Sequence, residues 1–220
     1  MGAGDRALGA IVSVFALVAA VCTASPASGQ GHRDLPRVGM LTPAATATAR
    51  PLWEAFRESM RELGYVDGQS VVYEYRSAEG RLDRLPGLAA ELVTLHLRVM
   101  VVANTAGNLA AKKATQTIPI VMVQIGDPVR VGLVSNLARP GGNITGFTNL
   151  GGQISAKRLE LIKEILPSAT RIALLGNLGD PNALIQIQDA EAAARQLKVQ
   201  LRVFDVAEAA QLAPAFEAAG

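Results

Sequence analysis

From Arg37 onward, short apolar runs take turns with apolar residues at helical spacing, and this alternation sets the reading of the fold. Arg37 to Leu41 has strand character and ends in the loop "TPAATATAR". Pro51 then opens a helix in which Leu52, Ala55, Phe56, Met60 and Leu63 recur at i, i+3, i+4, i+8 and i+11, with Gly64 as its stop. The unit repeats. "SVVYEYR" is a β-rich strand, Leu82, Leu85, Ala89 and Leu92 mark a second amphipathic helix, and "RVMVVA" is a buried strand followed by loop and helix in "NTAGNLAAKKAT". "PIVMVQI" is the next strand. Strands alternating with helices predict parallel pairing, with helices on both faces of the sheet.

From Asn149 the pattern restarts. A helix containing Leu159, Ile162 and Leu166 ends at Pro167, and "RIALLGN" is a strand. Asp180 or Asn182 caps a helix running to Leu197, "VQLRVFDV" is another strand, and "EAAQLAPAFEAAG" begins a further helix. The first set has four or five strands; the second has two clear ones, so its domain looks incomplete. Either the chain is a fragment of a longer protein or the second half borrows structure from elsewhere.

Composition adds limits. Half the residues are hydrophobic, 18% are charged and 4% aromatic, which suits one or two globular domains. The formal charge is +2 with scattered basic residues, so nucleic-acid binding is not expected. Residues 1–29 read as a secretory signal: Arg6, an apolar run of about fourteen residues from Leu8 to Val21, then small residues. That run is short of the roughly 20 residues that span a bilayer, so an extracytoplasmic, periplasmic protein is expected after cleavage. Cys22, the only cysteine, would be a lipidation site only in a lipoprotein signal, and Val21 before it disfavours that. If Cys22 leaves with the signal, no disulfide, thiol nucleophile or thiolate metal site remains.

Ligands of open parallel sheets bind at the carboxyl ends of strands, where helix N-termini offer free N–H groups. Four loops fit: Thr42 to Thr48, Asn104 to Asn108, Gly126 to Val129 and Gly176 to Asn182. Thr42 either offers a hydroxyl to a ligand or caps its loop. Asn104 and Thr105 either converge on an anion or cap the next helix. Asp127, between Gly126 and Pro128, either receives a ligand ammonium or hydroxyl or forms an Asx turn. Asn177 is a further strand-end residue. No G-x-S-x-G elbow, P-loop or metal-ligand spacing occurs, and His32 and His96 stand apart. Neither catalysis, a metal nor a cofactor is therefore expected. The charged helix residues Lys157, Arg158, Glu160, Lys163 and Glu164 read as a solvated face.

The strings "GDPVRVGLVSNLARPGGNITG" and "KRLELIKEILP", with "FRESMRELGYVDGQSVVYEYRSAEGRLDRLPGLAAELV", resemble ABC-transporter substrate-binding proteins of the type I periplasmic-binding-protein fold. The similarity is to the branch with tryptophan-, tyrosine- and phenylalanine-binding members. It implies two Rossmann-like α/β lobes with parallel sheets: a linker over 30–36, an N-terminal lobe over 37–147 and a truncated C-terminal lobe over 148–220. It implies capture of a small solute, such as an amino acid, by a monomer that docks on a membrane ABC permease. Under the resemblance Thr42, Asn104, Thr105, Asp127 and Asn177 become ligand contacts, and Gly141, Gly142 and Gly146 a hinge where the chain leaves the first lobe. Two alternatives carry the same fold: a ligand-sensing regulator without transport, or a truncated copy that does not function. A doubly wound enzyme is disfavoured by the missing motifs.

Overall fold

A computed structural model describes residues 35–149 and 154–220. Residues 1–34, which hold the expected signal over 1–29 as well as Cys22 and His32, lie outside the described residues. Contacts divide the chain into two compact units. Of the described residues, one takes in those up to Val123 together with Val134–Phe147; the other comprises Gln124–Leu133 and those from Thr148 to Gly220.

The first unit is built on β1 (Arg37–Thr42), β2 (Val72–Ser77), β3 (Val99–Ala103), β4 (Ile120–Ile125) and β5 (Ile144–Thr148), in sheet order β2-β1-β3-β4-β5. β1 pairs in parallel with β2 and β3, and β3 with β4. β3 is buried throughout and β1 from Val38 on, as expected of parallel strands covered on both faces. The helices are α1 (Thr46–Glu62), α2 (Leu85–Val93) and α3 (Thr105–Ala114). On one face Phe56 and Met60 of α1 pack on Val38, Met40, Val99, Val101 and Val121. Each such buried side chain contributes about 1.5–3 kcal/mol. The other face carries Gly39 and Met100, with Leu92 of α2 close over them. Among the described residues, no helix is long and apolar enough to cross a membrane.

Three expectations need correction. First, α1 begins at Thr46, so Pro51 lies inside the helix instead of opening it. Its missing N–H leaves the carbonyl of Ala47 without a helical partner, and Ala47 is exposed, so water can serve it. The apolar stripe is accordingly Ala49, Trp53, Phe56 and Met60, while Leu52 and Leu63 are 59% and 52% exposed. Second, β5 was not anticipated: five residues around a glycine make a weak strand pattern. At Gly146, φ is 142°, and a Cβ would lie 2.1 Å from the carbonyl oxygen of Met122, so only glycine lets β5 lie this close to β4. Third, α4 (Ile154–Ile165) buries Leu159 but leaves Ile162 partly exposed and Leu166, beyond its end, more than half exposed.

The second unit holds α4, β6 (Arg171–Gly176), α5 (Pro181–Gln196), β7 (Gln200–Asp205) and α6 (Leu212–Ala219). β6 and β7 form a two-stranded parallel sheet. Its core gathers Leu159 with Ala190, Ala193, Ala194 and Val199. Segment 124–133 is tied to this unit by Arg130, whose Nη1 donates to both carboxylate oxygens of Asp189 at 2.8 and 2.7 Å.

Candidate functional site

Parallel register decides which loops meet. Leu41 pairs with Val102, and Ala103 with Val123, so β1, β3 and β4 end side by side. Thr42 and the Asn104-Thr105 pair therefore share one edge of the first unit. Thr42 is 3% exposed, and its Oγ1 accepts the Ala44 N–H at 3.2 Å. Asn104 caps α3, its Oδ1 accepting the Ala106 N–H at 3.0 Å. Its backbone stands at φ 68°, ψ 158°, a region that only glycine enters easily. Thr105 is buried in the first turn of α3, and its Oγ1 has no hydrogen-bond partner.

Asn108 is a residue that sequence reasoning passed over. Wholly buried, its Nδ2 donates to the carbonyls of Val102 and Asn104, both at 2.8 Å. One amide thus ties the strand end to the strained cap. Its own Oδ1 accepts nothing from the described residues. Two groups without a partner among the described residues, the Thr105 hydroxyl, which can donate or accept, and Asn108 Oδ1, which only accepts, lie within one helical turn, each costing about 1–3 kcal/mol when left alone.

Glu79 serves α1 from outside the helix. The N-cap of α1 is Ala45, with no side-chain cap, and no acid lies in the first turn. Both carboxylate oxygens of Glu79 accept the Thr46 N–H at 3.2 Å, and Oε1 also accepts the Thr46 hydroxyl. The hydroxyl of Thr46, then that of Ser77 and the Thr46 N–H, hold this carboxyl below the ordinary glutamate range.

Asp127 and Asn177 belong to the second unit. Asp127 forms an Asx turn: its Oδ1 accepts the N–H groups of Val129 and Arg130 at 3.2 and 3.0 Å. Asn177 does the same for Gly179 at 2.8 Å. Asp180 caps α5 by accepting the Asn182 N–H at 2.9 Å, which resolves the choice between the two residues. That leaves the Asn182 side chain uncommitted: its Oδ1 is buried without a partner, against Gly126, where a Cβ would meet it at 1.8 Å. Of the predicted hinge glycines, Gly141 and Gly142 stand at φ 73° and 63° before β5, and Gly146 lies within it. The chain passes between its units after Val123, Leu133 and Phe147.

These features match a known family: residues 44–219 fit the model for ABC transporter substrate binding protein. The chain belongs to that family. A tyrosine-binding protein of Clostridioides difficile is 31% identical over 135 residues, which are 61% of this chain and 38% of that protein. A conserved domain protein of Vibrio cholerae has a crystal structure 27% identical, with a TM-score of 0.74, covering 84% of this chain and 62% of that one. An ABC domain from Streptococcus pneumonia in complex with L-Trp has the same fold at a TM-score of 0.69 and 24% identity, covering 83% of this chain and 61% of its own. The chain thus spans less than two thirds of the length of each of these three proteins. The type I periplasmic fold expected from the sequence is the fold found, and the family is one of binding proteins.

Proposed function

We propose that this chain is the extracytoplasmic solute-binding component of an ABC importer, and that it takes a small amino acid ligand and presents it to a membrane permease. Family membership supports the class of function, and the tyrosine-binding and L-Trp-complexed relatives favour an amino acid. One observation carries the local assignment: Asn104 is held in a glycine-like conformation beside a buried Thr105 hydroxyl that has no partner, at the N-terminus of α3. Strained residues and unsatisfied groups at a helix N-terminus suit capture of a carboxylate.

In this reading Thr42, Asn104 and Thr105 are the first unit's contacts to a ligand carboxylate, and Asp127 and Asn177 are the second unit's own candidate ligand contacts. Asp127 Oδ2 is the acceptor left over from the Asx turn. Gly141, Gly142 and Gly146 give the backbone the freedom a hinge needs. Residues 1–29 act as the export signal.

A thermal-shift series with L-tyrosine, L-tryptophan, L-phenylalanine and small organic acids tests this. A ligand at about 100 times its dissociation constant adds about 2.7 kcal/mol, a clear rise in melting temperature. Absence of stabilisation by every amino acid at millimolar concentration would remove the amino-acid assignment.

A further inference from the structure

The first unit holds a cavity of about 230 Å³ between α1 and the edge strand β2, lined by Met40, Arg50, Trp53, Glu54, Tyr73 and Tyr75 among others. None of Thr42, Asn104 and Thr105 lines it, so it is separate from the strand-end site. We propose that this cavity is a second binding site that takes a single-ring aromatic carboxylate, its ring against the aromatic walls and its carboxylate on Trp53, Tyr75 and Arg50.

The polar atoms point to an acceptor. Trp53 Nε1 and Tyr75 Oη are both buried without a hydrogen-bond partner among the described residues, on rings whose centroids are 5.9 Å apart. An indole N–H only donates, and a phenol can donate to the same acceptor. Buried polar groups in native proteins are nearly always satisfied, so two orphans on residues that line one cavity favour a ligand that accepts.

The charges agree. Arg50 is exposed and makes no ion pair with any described residue, whereas Arg57 is occupied by Asp67 at 2.6 Å and lies over the Tyr73 ring at 5.7 Å. A guanidinium in the same lining as two donors suits a carboxylate. Glu54 lies in the same lining and opposes an anion, which makes its removal informative. A cation would meet Glu54 and ring faces but leave the indole N–H unsatisfied. Met40, at 1% exposure, and the rings of Trp53, Tyr73 and Tyr75 supply the apolar part of the wall. The volume is below the roughly 300–1,000 Å³ of sites for drug-sized ligands, leaving room for one ring and its acid group.

Trp53 is the only tryptophan, so intrinsic fluorescence reports on this cavity directly. The 220-residue chain is titrated with benzoate and, separately, with benzylamine. Benzoate is expected to give a saturable change in Trp53 emission and benzylamine none. Arg50→Gln and Tyr75→Phe should each raise the benzoate dissociation constant by about 10-fold, and Glu54→Gln should lower it by about 3-fold. Thr105→Val should leave it unchanged, which separates failure here from failure of the strand-end reading. If Tyr75→Phe does not fold, Arg50→Gln on the exposed rim carries the test alone. No saturable change up to about 10 mM benzoate, a response to benzylamine in its place, or loss of the benzoate response in Thr105→Val would each overturn the proposal.

Discussion

Asn104 shows how one residue's conformation exposes a role that its identity hides. At φ 68°, ψ 158° it holds a backbone shape costing about 1–3 kcal/mol for a side-chain-bearing residue. Asn108 keeps it there through two 2.8 Å hydrogen bonds. Glycine accepts this conformation and alanine does not, so Asn104→Gly should be more stable than Asn104→Ala by about 1–2 kcal/mol in urea denaturation. At a relaxed helix cap glycine exceeds alanine by less, typically under about 1 kcal/mol, and a gap no larger than that would mean that the strain is absent. Gly146→Ala gives a second check: its Cβ would overlap the Met122 carbonyl oxygen, and a loss of about 2–4 kcal/mol is expected by the same method. Asn104 and Thr105 were legible in the sequence because they stand between a buried strand and a helix. Asn108 was not, since an asparagine inside a helical pattern looks the same whether it faces water or clamps two carbonyls.

Helix α1 illustrates what periodicity conveys and what it misses. Its existence and most of its length follow from apolar spacing, but its start was placed at Pro51, because proline is so common in a first turn. What allows the helix to begin at Thr46 is Glu79, thirty-three residues on in the chain, whose carboxylate serves the helix N-terminus. Such long-range capping leaves no local signature. The lowered pKa of Glu79 fixes the sign of a pH effect. A carboxyl whose folded pKa is depressed contributes stability above its unfolded pKa, roughly 4.3, and that contribution fades as pH falls through the lower folded value. Glu79→Gln should therefore melt below the wild type at pH 7, with the gap closing from about pH 5 towards pH 3. A gap independent of pH would mean that the charge of Glu79 plays no part. In α4, the apolar pattern placed the helix but not its depth of burial, since Ile165 and Leu166 are 75% and 56% exposed. β5 was missed because Gly146 interrupts its pattern, although the contact with Met122 is the reason for that glycine.

Across the whole chain, α/β alternation and parallel pairing were readable from the order of apolar runs, and the family from the glycine- and proline-rich string "GDPVRVGLVSNLARPGGNITG" and its two companion strings. Which segments join which unit was harder to see. Gln124–Leu133 leaves β4 yet packs with the second unit, held by the Arg130–Asp189 ion pair. Nothing in its local pattern specifies Asp189 as partner. The strand-end groups of the first unit nonetheless lie where parallel register puts them, and the solute-binding reading rests on their joint presence there. Isothermal titration of L-tyrosine and L-tryptophan into the wild-type chain and Thr105→Val puts that reading to the test. The account predicts saturable one-site binding of at least one of them by the wild type, weakened about 10-fold or more in Thr105→Val, while the variant's ligand-free melting temperature is unchanged or higher because an unsatisfied hydroxyl is gone. No saturable heat from either amino acid, or equal affinity in the two proteins, would contradict it.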